Sequence, residues 1–495
     1  MLPFDNKDEF EIILNMPEGT SLNLTQKAAI QMSAALRTIP EVKDVADYIG
    51  MAAPYNFNGL VRHYFLRQSP DGADISVLLT HFKDRKKSSH EIAQEARNLL
   101  APIAARYKAR YQVAEVPPGP PVLSTLVFEF YGPDPKKRDD FARKIEEVLK
   151  KTNGIVDVDS YFPTRNQKLE RLSIRRKEAT LNGIVPAYIA RLTRMALHGE
   201  TLGLAHLPNE QEPVKIRIRL NSEERKDGHF LSQIPVLSRN GTVISLGKFL
   251  KPFSTHVDEP IYHKNLRNVS YVIADVAGGE ESPVYAILKL EKPVQEAAKK
   301  MGISLREYYA SMPPDSRHYA LKWDGEWQIT YEVFRDLGLA FALVLVLIYI
   351  LVVGWFESFL VPLIIMTPIP LSLIGIIPAH WLMHAFFTAT SVIGFIAGAG
   401  IVVRNSIILV DFIELRMRQG MPIKEAVIDA GAVRFRPILL TAAAVVLGAV
   451  VILFDPIFQG LALSLMAGGV AAAFLSVPTV PILYYLFMGK NLKSK

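Results

Sequence analysis

The apolar positions of this chain follow two different patterns, and the change falls near residue 337. Before it, short alternating runs and helical periodicities carry charged residues throughout, as in a protein exposed to water. After it, long apolar runs dominate, and five of them reach the roughly 20 residues with which a helix crosses a bilayer. These five predicted spans are 337–356, 358–383, 388–412, 437–454 and 460–488. The pattern therefore predicts a polar block followed by a membrane block, residues 331–495.

The polar block contains one succession of elements twice. The first copy reads strand, helix, strand from "EFEIILNM" to "VKDVADYI", and then strand, helix, strand again up to "ARYQVAEV". After the stiff break "PPGPP" at 117–121 the order resumes with "STLVFEFYG", and "GIVDVDSYF" matches "EVKDVADYI" of the first copy. The second copy is completed only after residue 262, so about ninety polar, strand-rich residues interrupt it.

The order βαββαβ is that of the split βαβ, or ferredoxin-like, plan. We therefore predict an α+β part with two ferredoxin-like subdomains, followed by an all-α bundle of five transmembrane helices. The first subdomain is predicted at 1–122 and the second at 123–170 together with 263–330. The insertion, 171–262, has the polar strands expected of a docking subdomain.

Charge decides the orientation of the spans. The stretch "ELRMRQGMPIKEAVIDAGAVRFR", predicted as a separate amphipathic helix after the third span, and the tail "GKNLKSK" hold basic residues on one side of the membrane. The positive-inside rule places that side, and the C-terminus, in the cytoplasm, and the polar block in the periplasm. "MLPFDNKDEF" has no signal-peptide pattern, which leaves the route of export open.

Composition excludes several functions. The net charge of +7 is spread over both blocks, which argues against nucleic acid as a partner. Zero cysteines exclude disulfides and thiolate metal sites, and no phosphate loop of the Walker type supports ATP as the energy source. His380 and His384 have the spacing of a zinc helix, but the glutamate of that motif is missing. We predict both histidines at the membrane interface and no metal site.

Arg404 lies near the middle of the third predicted span, where a lipid-facing guanidinium costs at least about 2.5–3.5 kcal/mol. Snorkelling to the interface is one interpretation, and a buried ionic partner is the other. No span has a central carboxylate, and Asp411 lies two turns away, about 10 Å along the axis. We therefore expect the partner outside this sequence. Asn405, Arg434 and Thr441 are candidate members of the same site. Arg434 has the alternative of a topogenic charge, and Thr441 that of a bond back to its own helix.

The segments "FESFLVPLIIMTPIPLSLIG", "GAGIVVRNSIILVDF" and "AGAVRFRPILLTAAAVVLG" carry a family resemblance. With the plan of the polar block, they resemble the C-terminal half of a resistance–nodulation–division (RND) efflux permease of the hydrophobe/amphiphile (acriflavine resistance) branch. The resemblance implies two porter subdomains, a docking subdomain and the last five of twelve spans. It also implies an inner-membrane homotrimer, surrounded by lipid, that works with a periplasmic adaptor and an outer-membrane channel. The energy source is then a proton gradient, without a cofactor.

The resemblance also assigns roles to residues. In the family, two aspartates of the N-terminal half face a Lys, an Arg and a Thr, and these three positions fall on Arg404, Arg434 and Thr441, with Asn405 beside the first. Arginine in place of lysine is a departure, because a guanidinium keeps its proton. It puts direct proton relay at this position in doubt and leaves the coupling ion open.

The segment "PYNFNGLVRHYF" resembles the flexible loop that lines the substrate cleft between the porter subdomains. It makes Tyr55, Phe57, Tyr64 and Phe65 candidates for substrate contact. Their alternative is ordinary packing.

The sequence thus predicts a secondary active antiporter, not an enzyme. It is interpreted as the C-terminal half, or a fragment, of a proton-driven pump that exports hydrophobic or amphiphilic compounds, and it needs an N-terminal half with the relay aspartates. One alternative is a non-transporting, membrane-anchored periplasmic assembly protein. Another is one half of a split RND-like translocation accessory complex. The substrate is left open.

Overall fold

A computed structural model describes residues 6–116, 122–161, 168–210, 212–221, 229–258, 260–277 and 282–492. The proline-rich break at 117–121 lies outside the described residues. The chain forms two compact units: residues 1–162 with 261–495, and residues 163–260.

The first sheet has strands β1 (Glu9–Asn15), β2 (Val42–Ile49), β3 (Gly72–Leu79) and β4 (Arg110–Glu115) in the order β2-β3-β1-β4. All neighbouring strands are antiparallel. Alternate residues of β1, such as Phe10, Ile12 and Leu14, pack against helices α1 (Leu22–Leu36) and α3 (Ser89–Tyr107). The odd positions of β1 face the other side of the sheet. That side carries the segment with the short helix α2 (Phe57–Arg62).

The second sheet repeats this plan. Strand β5 (Leu126–Tyr131), helix α4 (Pro135–Lys150) and strand β6 (Ile155–Tyr161) precede the inserted unit. The insertion contains β7 (Lys168–Ile174), α5 (Arg176–Leu181), α6 (Pro186–Leu197), β8 (Glu200–Ala205), β9 (Val214–Ile218), β10 (Pro235–Leu237), β11 (Val243–Ser245) and β12 (Leu250–His256). After the insertion the chain forms β13 (His263–Lys264), β14 (Arg267–Asn268), β15 (Ser270–Val276), α7 (Pro283–Lys300), β16 (Arg306–Tyr308) and β17 (Ala320–Gly325). The order of the second sheet is β16-β17-β5-β15-β6, and β13 pairs only with β14.

The compact inserted unit begins earlier than the predicted residue 171 and ends at Pro260. The reason is the pairing of β7 with β12, in which Lys168 lies opposite His256 and Ile174 opposite Leu250. Residues 168–170 therefore belong to a strand of the insertion and not to the second sheet.

Over its described residues, up to residue 492, the membrane block has five helical spans. They are α8 (Glu326–Phe356), a broken second span composed of α9 (Val361–Met366), α10 (Pro368–Leu371) and α11 (Leu373–Leu382), then α12 (Ala389–Arg418), α13 (Ile423–Val450) and α14 (Gln459–Leu492). The second span is interrupted beside its prolines, which remove helix hydrogen bonds. Strand β17 passes into α8 at Gly325 without an intervening loop.

The prediction of a separate amphipathic helix between the third and fourth spans is wrong. Its first part extends α12 to Arg418 and its second part opens α13 at Ile423. Gly420, with a φ of +90°, and the proline at the N-cap of α13 form the turn between them. Consequently the fourth span does not start at Pro437. Pro437 lies inside α13, whose last helical residue is Val450.

Glycines allow close helix contact at specific points only. A Cβ at Gly394 of α12 would lie 2.7 Å from the Ser464 side chain and 2.8 Å from the Leu461 carbonyl oxygen of α14. At Gly398, one turn later on the same helix, nothing lies within 4 Å. Small residues at helix interfaces let backbones approach in this way.

These two glycines provide a matched test. We expect Gly394→Leu to destabilise the membrane bundle by about 1–3 kcal/mol, because an overpacked contact between rigid backbones must open. Gly398→Leu should change the stability little. Thermal unfolding of the detergent-solubilised chain, followed by circular dichroism, measures both. Equal melting temperatures of the two variants would contradict the packing described.

Candidate functional site

Arg404 is the sixteenth residue of the thirty-residue helix α12. Its side chain is exposed on the surface of the helix bundle, and it makes no hydrogen bond or ion pair with any described residue. The neighbouring Asn405 is half-buried and likewise makes no side-chain hydrogen bond there. Asp411, the next carboxylate along α12, is exposed and forms no ion pair within the same part of the chain. A permanent charge thus lies in the middle of a span without a counter-charge among the described residues.

Arg434 is held by an aromatic ring and not by a carboxylate. Its guanidinium carbon lies 4.6 Å from the centroid of Phe412 on α12, and its Nε is buried without a hydrogen-bond partner. Arg416 contacts the same ring at 4.9 Å and forms an ion pair of 2.7 Å with Asp429. Cation–π contact with a ring stabilises a guanidinium by about 0.5–2 kcal/mol but leaves its charge and most of its donors free.

Thr441 donates its hydroxyl to the Ile438 carbonyl oxygen of its own helix at 2.8 Å. The hydroxyl thus forms the bond back to its own helix that was the alternative to a role in the site. No hydrogen bond or ion pair joins Arg404, Asn405, Arg434 and Thr441 to one another among the described residues. The four candidate polar residues therefore lie on two contacting helices, α12 and α13, but no hydrogen bonds connect them among the described residues.

His380 is buried near the end of the second span. Only 4% of it is exposed, and Nδ1 lies 2.9 Å from the Ile376 carbonyl oxygen, so this nitrogen must be the donor. Its Nε2 lies 2.9 Å from the hydroxyl of Ser391, which with Thr388 forms the capping box of α12. The histidine therefore joins the second span to the third. His384 is exposed, and the described residues contain no group of three or more side chains arranged to hold a metal.

The predicted substrate residues lie on a segment, residues 50–67, that covers the outer face of the first sheet. Tyr64 is 4% exposed and donates its hydroxyl to Gln112 at 2.8 Å, so it serves packing. Tyr55 and Phe57 are 77% and 46% exposed. Phe65 is half-buried, with its ring centroid 5.6 Å from that of Tyr55. Three of the four candidates therefore remain accessible to a ligand.

Polar contacts pin this segment at both ends. Asp74 of β3 accepts from the backbone N–H of Ala53 at 3.0 Å and from Arg67 at 3.0 Å. Arg67 also donates to Asn15 and to the Leu14 carbonyl oxygen. The segment is therefore fixed to the sheet through residues before and after its exposed aromatic side chains.

The two subdomains meet along a seam, which we define by the ion pairs Arg62–Asp275, Arg97–Asp157 and Arg110–Asp159. Every arginine belongs to the first subdomain and every aspartate to the second. Asp275 also accepts from the Ser124 hydroxyl at 2.6 Å and the Thr125 N–H at 2.8 Å. Burial alone would raise the pKa of Asp275, but Arg62 and these two hydrogen bonds outweigh it and hold the pKa below its usual value.

Asp157 reaches the seam through a β-bulge. The register of β6 against β15 shifts between Val156 and Asp159, and Asp157 has a φ of +52°. At the bulge, its carboxylate accepts from Arg97 of α3 at 3.0 Å and from the Val113 N–H of β4 at 3.4 Å. Burial raises the pKa of Asp157 to about 6, against the opposing effect of Arg97.

Glu11 and Glu129 are also buried and have strongly raised pKa values. Burial and then the neighbouring Asp74 raise the pKa of Glu11 to about 7. Burial and then Asp324 raise that of Glu129 to about 7, although Lys264 lies against it. Both residues are at most 3% exposed.

These carboxyl groups predict how stability changes with pH. The folded chain holds protons on Glu11, Glu129 and Asp157 at pH values where the unfolded chain has lost them. Unfolding therefore releases protons, and the free energy of unfolding should rise by roughly 2 kcal/mol as the pH falls from about 8 to 6. Urea unfolding of the detergent-solubilised chain, followed by tryptophan fluorescence, measures it. The variant Glu11→Gln/Glu129→Gln should have a flatter profile, and an unchanged slope would contradict the assignment.

The model of the AcrB/AcrD/AcrF family matches residues 1–488. Among curated relatives, the multidrug resistance protein MdtC of Proteus mirabilis is 24% identical over 359 residues, which cover 70% of this chain and 33% of the relative. The nickel and cobalt resistance protein CnrA of Cupriavidus metallidurans is 25% identical over 459 residues, which cover 89% of this chain and 40% of the relative. A crystal structure of a heavy metal efflux pump aligns with a TM-score of 0.74 at 21% identity, over 99% of this chain and 47% of that one.

The match and the five apolar helices establish the class first: this is a multi-pass inner-membrane protein of the RND permease type. Within that class, the chain belongs to the AcrB/AcrD/AcrF family. The likeness to the solved pump concerns the fold. The chain spans less than half the length of these relatives.

Proposed function

We propose that this chain supplies one half of a proton-driven RND efflux pump, and that a second polypeptide segment supplies carboxylates that face Arg404. The observation that carries the proposal is the guanidinium in the middle of α12, which has no ionic partner in the part of the chain that the structure describes. A charge at that depth is retained in membrane proteins where it meets a partner or a water-filled path. Arg434 belongs to the same proposed site, since its guanidinium is positioned by a ring and its Nε is unsatisfied.

In this proposal the two βαββαβ sheets are ferredoxin-like porter subdomains in the periplasm, and residues 163–260 are the docking subdomain. The C-terminus is cytoplasmic. Protonation of a partner aspartate would release it from Arg404, and the resulting shift of α12 and α13 would reach the porter subdomains. Arg404 itself keeps its proton and acts by holding or releasing the aspartate. A homotrimer with an adaptor and an outer-membrane channel completes the assembly.

The substrate would bind beside the segment 50–67, where Tyr55, Phe57 and Phe65 are accessible. Exposed aromatic side chains over a polar sheet face suit amphiphilic compounds. The relatives include proteins named for multidrug resistance and for nickel and cobalt resistance, so the family alone leaves both substrate classes open.

The test is transport in membrane vesicles that contain this chain together with its companion half. We expect efflux of a fluorescent amphiphile driven by an imposed proton gradient, lost when a protonophore collapses the gradient and absent from vesicles with this chain alone. Uphill efflux by this chain alone would overturn the proposal. The mass of the native polypeptide, probed with an antibody to the C-terminal tail, tells whether the companion half lies on the same chain.

A further inference from the structure

A small cavity lies in the seam between the two subdomains, beside the first residue of α8. Its volume of about 20 Å³ is sufficient for one water molecule. The charged side chains that line it are Arg62, Arg97, Glu115, Asp275 and Glu326. The first four form two ion pairs with one another. Glu326 forms no ion pair or side-chain hydrogen bond within the part of the chain that the structure describes.

Glu326 is buried and held close to the second sheet. Only 8% of it is exposed, and its backbone N–H donates to the Thr125 carbonyl oxygen at 3.1 Å. It directly follows Gly325, the last residue of β17. This backbone position keeps the carboxyl group in the seam, away from bulk water. A buried carboxylate is destabilising unless cations or hydrogen-bond donors compensate its charge.

The arginines of the seam have other carboxylate partners. Arg62 donates to Asp275 at 3.3 Å. Arg97 donates to Asp157 at 3.0 Å and to Glu115 at 3.4 Å. Arg62 Nε and Arg97 Nη1 are buried without a hydrogen-bond partner among the described residues, and a water molecule in the cavity has these two donors to accept from. The two positive charges are thus assigned to three carboxylates, and none is left for a fourth.

The charge balance of this part of the seam is negative. Two arginines face four carboxyl groups: Glu115, Asp157, Asp275 and Glu326. His90 lies at its edge, with Nδ1 3.0 Å from Glu115. Asp275 stays ionised despite its burial, because Arg62 and two hydrogen bonds hold its pKa below the usual value. Among the described residues, Asp275 and Arg62 are the charged groups that act on Glu326, and the effect of Asp275 is the larger. Ionisation of Glu326 therefore adds a repulsion that the seam does not compensate.

We infer that Glu326 is a proton-binding residue that controls how often the seam opens. When its carboxyl group takes a proton from water, the excess negative charge falls and the ion pairs of the seam hold the subdomains together. When the proton leaves, repulsion from Asp275 and the burial of the new charge favour the open seam. This carboxyl group binds the proton itself, whereas Arg404 in the membrane block keeps its proton at all times. The inference concerns this chain alone and does not rest on the proposed function.

The test is hydrogen–deuterium exchange of the full chain in lipid nanodiscs, measured by mass spectrometry. The segments observed are 110–115 and 155–161, the strands β4 and β6 on the two sides of the seam. Glu326→Gln replaces the carboxyl group by a neutral amide of the same shape and so imitates the protonated form. After correction for the intrinsic effect of pH on exchange, the variant should exchange about 10-fold more slowly than the unaltered chain at pH 8. At pH 5.5, where the unaltered chain also holds the proton, the two should exchange equally.

The controls separate proton binding from packing. Glu326→Asp keeps an ionisable group and should still exchange more slowly at pH 5.5 than at pH 8. Asp336→Asn removes an exposed carboxylate of the same helix, which pairs with Arg335, and should change exchange at neither pH. Because the expected result for Glu326→Gln is a gain of protection, misfolding of the variant cannot imitate it. An equal effect of Glu326→Gln at both pH values would show a packing role only, and an absence of slowing at pH 8 would show that ionisation does not open the seam. Either result would overturn the inference.

Discussion

Replacing Arg404 with alanine is expected to reduce gradient-driven efflux by a factor of about 10²–10³ in the pump that contains both halves. The physical reason is that a carboxylate facing Arg404 would lose its counter-charge in a medium of low polarity. Breaking such a pair by removing one partner costs about 3–5 kcal/mol, and 1.4 kcal/mol corresponds to a factor of ten. The measurement is the initial rate of dye efflux from vesicles, at equal amounts of protein in the membrane.

Two variants make this result specific. Arg404→Lys keeps the charge and restores the residue that the family pattern has at this position, so substantial efflux should remain. Arg436→Ala removes an exposed arginine, the fourteenth residue of the 28-residue helix α13, and should change the rate little. An assembly protein without transport would respond differently, since Arg404→Ala would then impair complex formation or folding. Efflux at the original rate from Arg404→Ala would refute a coupling role.

The second large effect concerns the seam between the subdomains. Asp275→Ala should destabilise the polar block by about 3–5 kcal/mol, because it leaves Arg62, a side chain only 8% exposed, as an uncompensated buried charge. It also removes the acceptor of the Ser124 hydroxyl and the Thr125 N–H. Asp275→Asn keeps an acceptor and should have a smaller effect. Urea unfolding followed by tryptophan fluorescence gives the free energies.

The matched control is an ion pair of the same subdomain that lies in water. Glu147→Ala removes the partner of Lys144, and both side chains are about half-exposed. An exposed pair on a helix contributes at most about 0.5 kcal/mol, so this variant should unfold almost like the unaltered chain. If Asp275→Ala cost no more than Glu147→Ala, the seam would not hold the subdomains together.

Much of the fold was predictable because its determinants are local. Phe10, Ile12 and Leu14 recur at every second position of β1, and this period of two predicts both the strand and the face that packs against the helices. The length of α12 was not predictable in the same way, since an apolar window measures the hydrocarbon thickness and not the end of the helix. The turn at Gly420 and Pro422 was the signal available for the division of the predicted amphipathic helix.

The residues of the candidate site also differ in how far local sequence predicts their positions. Arg404 could be identified from the sequence because placing a guanidinium within an apolar span costs free energy. The burial of Tyr64 beside the exposure of Tyr55 depends on His63, whose φ of 59° ends α2 and turns the chain toward the sheet. Asp157 reaches the seam through a bulge against β15, a strand more than a hundred residues later. No local pattern contains that information.

The junction at Gly325 has a mechanical consequence. Its φ of 85° and ψ of −143° suit glycine almost alone, and a Cβ there would lie 2.6 Å from the Ser124 carbonyl oxygen and 2.9 Å from that of Thr125. The N–H of Glu326 donates to the same Thr125 oxygen at 3.1 Å. The strand and the helix are thus joined without flexible residues. A translation or tilt of α8 in the bilayer would therefore be transmitted directly to the second sheet. Lengthening this joint by a few flexible residues would leave the two parts folded but mechanically disconnected.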